Sequence, residues 1–158
     1  MAIGNSLSNT LVGNMADNVL EGAGGVDTLT GGQGADTFVI ANNGDDIDAD
    51  LITDFTSGED LIVLDLASYG IFAEELGLLS SGLVSADSFV TGAGARALDS
   101  NDHFIFDNAQ GILTFDIDGS GDEEAVSQSS VLILRPRALT SPARNCLCFR
   151  LVTKTDNT

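Results

Sequence analysis

Single apolar positions recur at a fixed interval through the first quarter of this 158-residue chain. Leu11, Leu20, Leu29 and Phe38 stand nine residues apart, in four units spanning 4–12, 13–21, 22–30 and 31–39. Each unit opens with glycine: Gly4, Gly13, Gly22 and Gly31. A period of nine is too short for a helical repeat and fits a six-residue turn followed by a three-residue strand. The eighth residue of each unit is expected to point inward and its neighbours, such as Thr28 and Thr30, outward. First-place glycine, with Gly25 and Gly34 at the fourth place, is expected to permit positive φ. Two units close one coil, so each unit stacks on the unit eighteen residues later, with strands about 4.8 Å apart.

Further strands are expected beyond the repeats, over 36–40, 50–55 and 58–66. His103–Asp107 and Gly111–Asp116 read as a hairpin turned by Asn108, Ala109 and Gln110, and Val131–Leu134 as another strand. Ser85–Phe89 reads as a capped short helical turn or a loop. The predicted fold class is all-β: a short parallel β-roll over 1–60, including a closing strand, followed by a small β-rich cap over 61–134. Phe55, Ile62 and Leu64 are expected to plug the open end of the coil.

The sixth place of the units carries Asn9, Asn18, Asp27 and Asp36. Stacking would face Asn9 with Asp27 and Asn18 with Asp36. Carboxylates and turn carbonyls then crowd one gap, a fit for Ca²⁺ with its roughly 6–8 oxygen ligands. Without a cation the loops repel one another. Asp45 and Asp54 keep the same register, pairing Asp27 with Asp45 and Asp36 with Asp54; Ile47 fits the eighth place there, and Thr56 does not. The early units depart from the pattern, with Leu7 and Ala16 at the fourth place and uncharged Asn at the sixth. The third and fourth units are the strong ones.

These residues resemble the repeats-in-toxin (RTX) family of secreted bacterial proteins, whose nonapeptides form Ca²⁺-binding parallel coils. Asp50-Leu51-Ile52-Thr53-Asp54-Phe55 and Gly58-Glu59-Asp60-Leu61-Ile62 resemble the closing strands of the serralysin-type C-terminal domain. The candidate metal-site residues are Asn9, Asn18, Gly22, Gly24, Val26, Asp27, Gly31, Gln33, Ala35, Asp36, Asp45, Asp54 and Asp60. Asp60 reads equally as the start of a strand in a polar turn. The resemblance implies calcium as the ligand, an extracellular destination and export through a type I secretion apparatus. A polybasic or apolar leader is not expected at 1–12, nor is membrane insertion.

Charge sharpens this reading. Residues 1–134 hold 23 acids and one base, Arg96, whereas 135–158 hold five bases and one acid. The acidic body argues against nucleic-acid partners, which need Lys and Arg for phosphate. A hydrophobic content of 43% argues against disorder. His103 is the sole histidine, which excludes a two-histidine zinc protease site, and no Gly-x-Ser-x-Gly elbow occurs. The chain is therefore expected to be a non-catalytic calcium-binding module. The alternatives are a fragment of a secreted protease, lipase or polysaccharide-modifying enzyme, or an adhesin-like surface on outward Thr10, Thr28, Thr30 and Thr37. Asp116–Asp122 reads as an acidic cation loop or a solvated turn, and the tail over 135–158, with Cys146 and Cys148, as a frameshifted or fused end or a basic interaction tail. Such a tail puts the C-terminal export signal in question.

Overall fold

The computed structural model describes residues 1–41, 50–56, 58–65, 79–80, 83–84, 86–107, 109–116, 130–134 and 149–151. The strands of the repeat region are β1 (Ala2–Ile3), β2 (Thr10–Val12), β3 (Val19–Glu21), β4 (Thr28–Thr30) and β5 (Thr37–Ala41). They are followed by β6 (Leu51–Ile52), β7 (Leu61–Asp65), β8 (Leu79–Ser80) and β9 (Leu83–Val84). Next come β10 (Phe89–Gly92), β11 (Phe104–Asp107), β12 (Ile112–Phe115), β13 (Ser130–Leu134) and β14 (Phe149–Leu151).

Alternate strands of the repeat fall in two parallel stacks, as two units per coil require. One runs β1-β3-β5-β7, with Ala2 opposite Leu20, Leu20 opposite Phe38 and Phe38 opposite Ile62. The other runs β2-β4-β6, with Leu11 opposite Leu29 and Leu29 opposite Ile52. The eighth-place residues therefore form two inward columns. Leu20, Leu29, Phe38, Ile52 and Ile62 are each no more than 1% exposed. Full burial of such a side chain contributes about 1.5–3 kcal/mol. Outward positions are half-buried in β3, β4 and β5 and exposed in β2, and the Thr30 and Thr53 hydroxyls hydrogen-bond across coils at 2.7 Å.

The cap is continuous with the second stack. β13 runs parallel to β6, β12 antiparallel to β13, β11 antiparallel to β12, and β10 parallel to β11. The expected hairpin is thus β11–β12, the expected turn is a 3₁₀ segment at Ala86–Ser88, and the last expected strand is β13. Phe104, Leu113 and Phe115 are buried in the same apolar core as the roll residues, with the Phe104 and Phe115 rings 5.1 Å apart. Phe55, Ile62 and Leu64 are buried at the end of the roll, and Phe55 packs 6.3 Å from Phe38.

β7, placed in the cap by the sequence reading, pairs along its whole length with β5 and so continues the first stack. Of the tail, residues 149–151 form β14, which runs parallel to β7, with Phe149 opposite Ile62 and Leu151 opposite Leu64. At the C-terminal end of the roll both stacks are therefore covered, β6 by β13 and β7 by β14. Among the described residues no helix is long and apolar enough to cross a membrane. The acidic loop over 117–122 lies outside the described residues.

Candidate metal centre

The turns of the roll stack closely enough that side-chain volume decides their sequence. Fourth-place Gly25 and Gly34 have φ of +90° and +104°, and a Cβ on either would lie within 3.0 Å of the backbone of the turn one coil earlier. First-place glycine answers a different need than expected. Gly4, Gly13, Gly22 and Gly31 do not adopt positive φ. A Cβ on Gly22 would instead occupy the place of Asp27 Oδ2, and one on Gly31 the place of Asp36 Oδ2. At Gly4 the same space holds Asn9 Oδ1 and the Gly22 carbonyl, and at Gly13 it holds Asn18 Oδ1 and the Gly31 carbonyl. Each first-place glycine is thus a cradle for the sixth-place side chain and, in the early units, for a carbonyl of the next coil.

The sixth-place residues form two ladders. The Asn9 N–H donates to Asp27 Oδ1 at 2.7 Å, and the Asn18 N–H to Asp36 Oδ1 at 2.8 Å. These are the two pairings expected from the repeat. The next rungs are different. The Asp27 N–H donates to Asp50 Oδ1 and the Asp36 N–H to Asp60 Oδ1, both at 2.9 Å. The separations are 23 and 24 residues instead of 18. β5 is longer than the repeat strands and the following connection adds further residues, so register counting from the repeats overshoots its range. Asp45 lies outside the described residues. Asp54, expected opposite Asp36, accepts instead from the N–H groups of Gly31 and Gly32, each at 2.9 Å.

Asp50 was missed, although a local signal marks it. Asp27-Thr28-Leu29 and Asp36-Thr37-Phe38 place the inward residue two after the carboxylate, and so do Asp50-Leu51-Ile52 and Asp60-Leu61-Ile62. That short motif survives the insertion; the nine-residue count does not. Asp17 was also missed. Its carboxylate accepts from the Ala35 N–H at 2.9 Å, linking the second and fourth turns.

The first two units solve their turns with neutral side chains. Asn9 Oδ1 accepts from the Asn5 N–H and Asn18 Oδ1 from the Asn14 N–H, both at 2.7 Å. Asn5 and Asn14 in turn accept from the N–H groups of Leu7 and Ala16. This local side-chain bonding takes the place of the positive-φ glycine.

Electrostatics sets the third and fourth units apart. Asp27 is fully buried and Asp36 is 2% exposed, while residues 1–65 contain twelve acids and no Lys or Arg. Burial pushes the Asp36 carboxyl above its usual range; the Asn18 N–H pulls it down, and Asp60, Asp54 and Asp17 push it further up. Burying carboxylates without a cation is costly. Among the described residues no group of three or more His, Cys, Asp or Glu side chains is set to hold a metal. The oxygen set here has another composition: one or two carboxylates per gap, with turn carbonyls beside them. Such a set suits Ca²⁺, a hard cation that takes backbone carbonyls as readily as carboxylates in flexible geometry. Gly24, Val26, Gln33 and Ala35 belong to the same two turns, next to Asp27 and Asp36.

Two comparisons bear on this geometry. No curated protein matches the chain. Residues 3–38 match the family model for the RTX calcium-binding nonapeptide repeat, in four copies. That family binds Ca²⁺, its repeats are structural motifs and not catalytic ones, and residues 3–38 of this chain are an RTX-type repeat region.

Proposed function

We propose that this chain is a non-catalytic, calcium-dependent folding module of a secreted RTX-type protein, with residues 61–134 acting as a cap similar to the serralysin-type C-terminal domain. The observation that carries the reading is the burial of Asp27 and Asp36 in a stretch without a single basic side chain. Bound calcium would supply the positive charge and the oxygen coordination that this stretch lacks. The residues that would hold it are Asp27, Asp36, Asn9 and Asn18, with turn carbonyls of the third and fourth units. The glycine cradles fix where those oxygens sit, and the apolar columns fix the coil spacing.

Where calcium is scarce, as in a bacterial cytosol, the buried carboxylates oppose closure of the turns. In an extracellular medium the balance reverses, which ties folding to export. A site at ten times its dissociation constant adds only about 1.4 kcal/mol, so cooperation between the two ladders is required. The test is circular dichroism of the full chain against Ca²⁺ concentration, beside Asp27→Ala and Asp36→Ala. The wild-type β signal is expected to rise with Ca²⁺ and the variants to need more of it. A β-rich spectrum indifferent to chelator refutes the reading.

A further inference from the structure

The fourth turn of the roll is held from its C-terminal side by carboxylates that spend their oxygens on backbone N–H groups. Asp54 Oδ1 accepts from Gly31 and Oδ2 from Gly32. Asp60 Oδ1 accepts from Asp36 and Oδ2 from Thr56, the latter at 2.7 Å. The Leu61 N–H donates back to the Asp36 carbonyl at 2.8 Å. From the opposite side, the Gln33 N–H donates to the Asn14 carbonyl, the Ala35 N–H to Asp17, and the Thr37 N–H to the Asn18 carbonyl. The amides of this turn are therefore divided between both neighbouring coils. The Gly31 carbonyl, at the other end of the Gly31–Gly32 peptide, lies against Gly13, in the space that Asn18 Oδ1 also borders. A carboxylate bonded to two successive N–H groups is a charge-assisted, bidentate anchor.

We infer that Asp54 is a metal-independent positioning residue and not a calcium ligand. It fixes the Gly31–Gly32 peptide so that the carbonyl of Gly31 faces the gap toward the second turn. Across the closing gap of this ladder Asp54 and Asp60 each place both carboxylate oxygens on backbone N–H groups; across the earlier gap Asp36 places Oδ1 on the Asn18 N–H, so the cation requirement falls on its Oδ2 and the turn carbonyls there. The inference rests on the calcium reading only for that contrast; the clamp itself needs no metal.

Amide hydrogen exchange and Tb³⁺ luminescence on the full chain test it. In chelator, the Gly31 and Gly32 amides of the wild type are expected to exchange well below the unprotected rate. Asp54→Asn should speed both by about tenfold or more, the factor that loss of one charge-assisted hydrogen bond implies. With Tb³⁺ as the probe, Asp54→Asn should leave the number of metal-bound waters unchanged, read from lifetimes in H₂O and D₂O. Asp36→Asn should raise that number and leave Gly31 and Gly32 protected. Unprotected Gly31 and Gly32 amides in wild-type chelator solution overturn the inference, and this reading needs no variant to fold. An added bound water in Asp54→Asn overturns it as well, since it makes Asp54 a ligand. A chain that folds without calcium refutes the proposed function but leaves the clamp standing if those amides stay protected and Asp54→Asn releases them.

Discussion

Gly31→Ala puts the cradle geometry to a quantitative test. The backbone at Gly31 is not in the left-handed region, so alanine adds no φ strain there. The effect is steric. The new Cβ would take the place of Asp36 Oδ2 and lie 2.7 Å from Asp36 Cγ and 2.9 Å from Asp36 Cβ. Ordinary carbon contacts begin near 3.5 Å, so Asp36 must retreat by roughly 0.6–0.8 Å. Metal–oxygen distances tolerate only about 0.2 Å. Overpacking of this kind costs about 1–3 kcal/mol, and about 1.4 kcal/mol is a tenfold change in affinity. Ca²⁺ affinity is therefore expected to fall by about 5–150-fold, measured on the full chain by competition with a chromophoric chelator. Gly22→Ala should behave alike, because its Cβ would fall on Asp27 in the same way. Gly92→Ala, with open space around its Cβ position, should leave the affinity unchanged. A Gly31→Ala dissociation constant within twofold of wild type would show that the glycine is not a cradle for a ligand and would refute the argument.

Three further outcomes are expected. Phe38→Ala removes a fully buried ring from the centre of an inward column and should lower stability by about 3–5 kcal/mol, read from urea unfolding in saturating Ca²⁺. The Asp107 carboxyl is held below its ordinary value of 3.8 chiefly by a backbone hydrogen bond from Gly94, then by bonds from Ala109 and Gln110. A carboxyl depressed in the folded state contributes stability above its unfolded value and loses it as pH falls through the folded value. Asp107→Asn should therefore weaken the protein at neutral pH and flatten the loss of stability below about pH 3.8; an unchanged acid slope contradicts this. Deleting residues 135–158 removes β14 and uncovers the outer edge of β7. The shortened chain should melt at lower temperature and associate in a concentration-dependent way in light scattering, as exposed strand edges do.

The roll was legible because one period carries three kinds of information at once. Leu11, Leu20, Leu29 and Phe38 gave the inward column, the sixth place gave the oxygens, and glycine gave the turn. Legibility failed where the period broke. Asp50 and Asp60 take the rungs assigned to Asp45 and Asp54, because β5 and the connection after it are longer than the three-residue strands and six-residue turns of the repeat. The role of first-place glycine was also misread: a sequence shows that a side chain is absent, not whether φ or space demands it. β14 escaped notice because three residues among basic neighbours carry almost no periodic signal, and its partner β7 lies far away in sequence.

The departures from the repeat sort themselves along the roll. At the N-terminal side, Asn5, Asn9, Asn14 and Asn18 close their turns with uncharged oxygens. At the C-terminal side, Asp54 and Asp60 give their charge to backbone N–H groups. Between them stand Asp27 and Asp36, buried and acidic, each accepting from the backbone N–H of an asparagine whose side chain adds no negative charge. Four carboxylates in the same two gaps would raise the repulsion that opposes closure; one carboxylate and one amide per gap lower it and keep the oxygen count. The same replacement lowers the charge available to a cation, so affinity is traded against stability of the empty roll. On the proposed calcium reading, a short array closed at both ends by metal-free bonds can accept that exchange, because only its central turns would then depend on calcium.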